Sequence, residues 1–291
     1  MFQQKLHLAK TEVLYARKKQ ARLRSRTKAD TEAICMDFGR NLPMPNLSTN
    51  DVYYSRQLSL FSFIVHKLSN SKVFFYAYPE TVGKKGANEV CSFFDSCSGQ
   101  NKNFPVVKFL HYLVHHRSKL ESIEVTFPIL GHSYLECDKD MGILNGKFRA
   151  EVPDDWCKHI ETARLKPAPF LVEKVNRYMI RNWIDFLSAM YVEKCPFATR
   201  PIRPLKITKE YSRLVFHRYT YNGLWNSSVI VPPRKKRTTG PPLPDGQFYQ
   251  PPVATFDDTP IPLEKCKDLQ KKKKKFCTSE SQLLSLNYMP N

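Results

Sequence analysis

In residues 57–68, an extended backbone would place Leu58, Leu60 and Ile64 on one face and Phe61, Phe63 and Val65 on the other. A strand that is apolar on both faces has to be covered on both sides, so this segment predicts an inner strand of a layered domain. Residues 72–78, Lys-Val-Phe-Phe-Tyr-Ala-Tyr, repeat the pattern after only Ser69-Asn70-Ser71. Two such runs joined by three small polar residues read as a β-hairpin.

The rest of the middle of the chain alternates between the two periods. Ala33 to Phe38 is a short apolar strand pattern closed by the turn-forming Asn41-Leu42-Pro43-Met44-Pro45-Asn46. Residues 104–116 carry apolar side chains at 106, 107, 109, 110, 113 and 114, which is helical spacing. Ile123, Val125 and Phe127 alternate with Glu124 and Thr126 as a strand would, and residues 175–190 predict one long amphipathic helix. The expected class is mixed α/β.

Charge divides the chain differently. Lys plus Arg number 46 against 27 Asp plus Glu, a formal net charge of +19. Residues 1–30 hold Lys5, Lys10, Arg17, Lys18, Lys19, Arg22, Arg24, Arg26 and Lys28 with no Gly or Pro, so a basic helix is expected there. Its apolar stripe is broken, which predicts a helix that is solvated or laid against a polyanion. Ten of the 21 prolines follow Val231, flanked by Arg234-Lys235-Lys236-Arg237 and the lysines at 271–275. That composition predicts a tail without regular structure, in which residues 234–237 read equally as a nuclear-import signal or a solvated charge run.

Several classes are excluded or disfavoured. With 10 glycines the chain has neither a GxGxxG nor a GxxxxGK[ST] phosphate loop. No apolar run approaches the roughly 18 residues that span a bilayer, so no membrane partner is expected. The eight cysteines form no CxxC pair, and reduced thiols in the nucleus or cytoplasm are the expectation. His111, His115 and His116 contain an i, i+4 pair suited to zinc, but no acid or cysteine adjoins it, so an ordinary helix face is the simpler reading.

Asp37, Asp95 and Asp138 each stand at or just past the end of an expected strand. An acid there is disfavoured without a partner, and three of them suggest a shared hard cation such as magnesium, although each could instead cap a turn. His132 precedes the last of them in Gly131-His132-Ser133.

Met36-Asp37-Phe38, Thr49-Asn50-Asp51-Val52-Tyr53-Tyr54, Tyr78-Pro79-Glu80-Thr81, Phe94-Asp95-Ser96-Cys97-Ser98-Gly99-Gln100-Asn101-Lys102-Asn103 and Gly131-His132-Ser133 occur in that order. Together they resemble a transposon-associated domain-of-unknown-function family of invertebrate genomes, itself similar to DDE transposases with a ribonuclease-H-like core. Between the basic helix at 1–30 and the Pro/Lys-rich tail at 232–291, the resemblance implies a ribonuclease-H-like domain at 31–200 with a C-terminal extension at 201–231. It further implies that Asp37 and Asp95 lie on neighbouring parallel strands and, with Asp138, hold Mg2+ or Mn2+. Glu136 and Asp140 compete for the third place. His132 would orient a phosphate or ligand, and Gln100, Asn101 and Lys102 would touch the scissile strand of DNA.

One departure weakens the catalytic expectation. Only 16 residues separate Tyr78 from Asp95, too few for a helical crossover and a further strand, where the family carries a longer segment. Two functions therefore stay open: metal-dependent DNA cleavage and strand transfer, or DNA binding without catalysis by Arg17, Lys18, Lys19, Arg22, Arg24 and Arg26. A nuclear location and self-association are compatible with both.

Overall fold

A computed structural model describes residues 2–46, 56–96, 103–117, 120–128, 135–146, 148–233 and 251–276. Its centre is the expected hairpin. β3 (Leu58–Lys67) and β4 (Val73–Pro79) pair antiparallel, with Phe63 opposite Tyr76 and Ile64 opposite Phe75. The connecting turn is held by Asn70, whose side chain accepts from Lys72 N at 3.0 Å, and by Ser71 in the left-handed region at φ 59°. β1 (Ile34–Phe38) and β2 (Leu42–Met44) both pair antiparallel with the outer side of β3. On the far side β6 (Phe170–Lys174) runs parallel to β4.

Each face of this sheet is covered, as the doubly apolar strands require. Phe38, Phe63, Tyr76 and Tyr78 point to one face, where α2 (Ala87–Ser96) lays Phe93 on Tyr76 at 5.1 Å between ring centroids. α3 (Phe104–Tyr112) and α6 (Trp183–Ser188) complete that layer through Phe94, Phe109 and Trp183. Cys35, Asp37, Ile64 and His66 share the other face, which α4 (Glu136–Ile143) and α5 (Pro153–Ala163) cover. The class is mixed α/β, as the alternating patterns imply.

A second sheet orders β5 (Ser122–Thr126), β7 (Pro204–Thr208), β8 (Leu214–His217) and β9 (Asn226–Val229), antiparallel throughout. Residues 204–229 thus pair with a strand from the middle of the chain.

Four expectations need correcting. The segment before Asp95 is helix, because Ala87, Val90, Cys91 and Phe94 recur at i, i+3, i+4 and i+7 and are all buried. The strand order differs from the one the resemblance implies: β1 lies at the sheet margin against an antiparallel neighbour, and the parallel pair is β4 with β6. Residues 175–190 form a 3-10 turn, Arg177–Met179, then the short α6 begun by the Asn182 side chain, not one long helix. The interruption has a cause in the tail, since Ala254 N donates to Ile180 O at 2.8 Å and Asn182 N to Pro252 O at 2.8 Å.

The fourth concerns the tail itself, where residues 251–276 pack against the body. α7 (Leu263–Phe276) buries Cys266 and Leu269, and its Glu264 and Asp268 ion-pair with Arg56. Apolar positions at 261, 266 and 269 gain more by burial than the neighbouring prolines forbid. Residues 234–237 lie outside the described residues.

α1 (Phe2–Thr27) is the expected basic helix, but it is docked. Leu14 is 6% exposed and Ser25 8%. Along the docked side Arg17 reaches Glu124 of β5 at 3.3 Å and the Tyr221 carbonyl at 2.5 Å, while Arg26 Nε donates to the Leu68 carbonyl at 3.3 Å. The helix therefore braces the second sheet against the first.

Candidate functional site

α4 carries three acids within five residues, and its two faces send them to three different places. Glu136 is buried beneath α1, 2.5 Å from Arg22 Nη2 and 3.2 Å from Lys18 Nζ. Burial pushes its carboxyl up, but the charges and hydrogen bonds of Lys18 and Arg22 outweigh that and hold it below the usual range. Asp140 is buried one turn on, 2.6 Å from His66 Nδ1 and 3.3 Å from Arg164 Nη1. Arg164 is itself fully engaged, donating to the Ala168 and Ser71 carbonyls and stacking on Phe170.

Asp138 alone faces Asp37. The two line a cleft of about 240 Å³ with Arg40, Asn145 and Met141, over a floor that includes Ile64 and Cys137. Cys137 Sγ lies 3.7 Å from Cys35 Sγ, and burial keeps that thiol protonated by pushing it well up. Gly39 lets the wall close: a Cβ there would stand 2.6 Å from Ser62 Oγ and 2.9 Å from Met141 Sδ.

Asp37 reaches solvent at the cleft mouth, yet protein crowds it from behind. Desolvation raises its carboxyl above the ordinary 3.8 and the Asp138 charge adds to this, while the Phe38 amide and Lys85 pull the other way. Lys85 donates to the Gly39 carbonyl at 2.7 Å and sits over the Phe38 and Phe61 rings at 5.5 and 5.3 Å. Desolvation lowers its ammonium, partly offset by Asp37. Nothing in the sequence marks Lys85, because the segment reads only as loop.

Asp37 and Asp138 share the cleft, while the backbone of Asp95 belongs to another layer. Asp95 is on α2, whose Phe93 rests on the face bearing Phe63 and Tyr76, whereas Asp37 and Asp138 belong to the opposite face. Asp138 is not free of structural duty either, since its Oδ2 accepts from Leu135 N at 3.0 Å and closes the first turn of α4. Two carboxylates suit a single hard cation that keeps several waters. A metal pair needs more, and among the described residues no three His, Cys, Asp or Glu side chains are grouped to hold an ion. His132, Gln100, Asn101 and Lys102 lie outside the described residues.

The cations of α1 divide by the acids that reach them, not by helix face, since Lys10, Arg17 and Arg24 share one stripe at seven-residue spacing. Arg17, Lys18 and Arg22 turn inward onto Glu124 and Glu136, and Arg26 is tied at Nε to the Leu68 carbonyl with the rest of its side chain exposed. Lys10, Lys19 and Arg24 are exposed, as is Lys28 one residue past the helix. No helix among the described residues is long and apolar enough to cross a membrane. Comparison with protein-family models, with curated proteins and with solved structures finds no match to this chain.

Proposed function

We propose that this protein binds nucleic acid, DNA in the first instance, through the outward cations of α1, as a non-catalytic descendant of a transposase. The observation that carries the reading is the division of α1: Arg17, Lys18 and Arg22 are taken up by Glu124 and the buried Glu136, while Lys10, Lys19 and Arg24, with Lys28 just past the helix end, stay in solvent on a docked helix. Cations held on a fixed scaffold meet phosphates without the entropic cost of ordering a flexible arm. The excess of +19 supplies the long-range attraction.

A second reading is supported by the cleft. Asp37 and Asp138 would hold one Mg2+ or Mn2+ there, and such an ion would supply charge stabilisation to phosphodiester chemistry. The chain's own part would be to hold the two carboxylates, with Lys85 behind Asp37. Descent from a ribonuclease-H-like core and a nuclear location belong with these proposals.

The test is the salt dependence of duplex DNA binding by the intact chain, compared with a variant carrying Lys10→Ala, Lys19→Ala, Arg24→Ala and Lys28→Ala. Binding by the wild type that weakens steeply with salt, and a flatter dependence in the variant, is the expected result. Equal slopes would remove α1 from the interface. Magnesium-dependent cleavage abolished in Asp37→Asn would instead favour the second reading.

A further inference from the structure

The second sheet has two unlike faces. Val215 and His217 of β8, Leu205 and Ile207 of β7 and Val125 of β5 are buried, so strand alternation turns Phe216 and Lys206 to the other side. There the register sets Ser227, Phe216, Lys206 and Glu124 in one row across four strands. One residue beyond the last pair of β8 and β9, His217 with Asn226, Arg218 meets Trp225, and its guanidinium carbon lies 4.0 Å from the centre of the indole ring. Tyr211 is 42% exposed and stands edge-on to Phe216 at 5.1 Å between centroids. The charges along this face do not balance. Its acids are engaged, Glu124 with Arg17 at 3.3 Å, Glu121 with Lys209 at 3.0 Å and Glu210 with the Tyr211 hydroxyl. Lys206 and Arg218 have no carboxylate partner among the described residues. Arg218 Nη1 gives one long bond, 3.4 Å, to the Tyr221 carbonyl, and its Nε is buried without an acceptor.

We propose that this outer face of the second sheet binds single-stranded nucleic acid, with bases stacked on the Arg218–Trp225 and Tyr211–Phe216 pairs and Lys206 on an adjoining phosphate. Cations that track a backbone, set among planar groups that accept unpaired bases, are the combination that holds single strands. A guanidinium already lying on an indole offers its second face to a base. Duplex DNA cannot use these rings, because its bases are stacked on one another. Phe216 and Arg218 lie two residues apart in extended chain, about 7 Å, a step that one nucleotide of an unstacked strand covers. The cations unclaimed by any acid supply the charge complement, and the overall excess of +19 adds to it. None of these residues belongs to the outward cations of α1, so the contact does not depend on the duplex reading proposed above.

Of the three tryptophans, Trp156 and Trp183 are 2% and 1% exposed and Trp225 is partly exposed, so intrinsic fluorescence reports on the proposed site. The test titrates the full chain with an oligothymidylate of about 12 nucleotides, and in parallel with the matching oligouridylate, an abasic strand and a duplex. Anisotropy of the end-labelled strands follows binding independently. Oligothymidylate or oligouridylate should quench the fluorescence, the tighter of the two distinguishing DNA from RNA, while the abasic strand binds at least tenfold more weakly and the duplex does not quench. Trp225→Ala should weaken single-strand binding about tenfold. Arg218→Lys, which keeps the charge and removes the planar group, should weaken it several-fold. The α1 variant with its four alanines should keep the quenching, so either contact can fail while the other stands. If Trp225→Ala does not fold, Arg218→Lys and Tyr211→Ala decide. Absence of quenching, an abasic strand bound as tightly as oligothymidylate, or anisotropy unchanged in Trp225→Ala would overturn the site. A fluorescence change on concentrating the protein alone would overturn it in favour of a second copy of the chain.

Discussion

Arg22 and Arg24 are two residues apart on α1 and occupy different worlds. The guanidinium of Arg22 lies 2.5 Å from a carboxylate that is itself buried, whereas Arg24 stands in solvent. Lys18 and Lys19 repeat the contrast, the first on Glu136 and the second exposed. The same residue types thus serve as ties between layers where an acid reaches them and stay in solvent where none does, which is the set the proposed function gives to phosphates. Counting cations along the sequence could not separate them. What separates them is which acids the fold brings beneath the helix.

The inward set should fail through stability. The Asp140 cluster, away from α1 but more deeply buried, should fail the same way and furthest, since Asp140→Ala would leave Arg164 and His66 buried without their acid. We expect a loss of about 3–5 kcal/mol, read in a denaturant titration, with any effect on DNA binding following unfolding alone. Next comes Glu136→Gln, which strips the acid from Lys18 and Arg22 while keeping its shape. Because Arg22 is partly exposed, roughly 1–3 kcal/mol is expected, with the salt dependence of DNA binding retained. The outward set should behave oppositely: Lys19→Ala with Arg24→Ala should move stability by less than about 0.5 kcal/mol while weakening DNA binding.

The smallest effect belongs to Asp37. A carboxyl whose folded pKa is raised holds its proton more tightly in the folded state than in the unfolded one, so ionising it as pH rises through that range destabilises the fold. Asp37→Asn should therefore gain a little thermal stability at neutral pH, and the gain should vanish below about pH 3, where both states are protonated. A variant less stable at neutral pH would show that Asp37 is held by a favourable partner.

How far the sequence reaches follows from the range of the forces involved. The hairpin of β3 and β4, the helix from Phe104 and the strand at Ile123 are written in local periodicity and can be read without a partner. Asp95 is misread from sequence because Phe93-Phe94 taken alone looks like strand, and the helical signal in Ala87, Val90, Cys91 and Phe94 needs a wider window. The break in residues 175–190 is invisible locally, since it is imposed by residues 70 or more positions later. Of the cleft, Asp37 and Asp138 are legible as acids near element ends. Lys85 is not, and neither are the separate fates of Glu136 and Asp140, which depend on Lys18, Arg22, His66 and Arg164 arriving from distant segments.

The most direct test removes the same charge from the acid-paired and from the solvent-exposed cations of α1. Lys18→Gln with Arg22→Gln and Lys19→Gln with Arg24→Gln both lower the net charge by two, and both can be compared with wild type in duplex DNA binding across a salt series. The outward pair should flatten the plot of log affinity against log salt by about 1.8, at roughly 0.9 for each phosphate no longer neutralised, and the inward pair should leave the slope close to wild type while lowering stability. Equal flattening by both pairs, or by neither, would contradict the division of labour on which the proposed function stands.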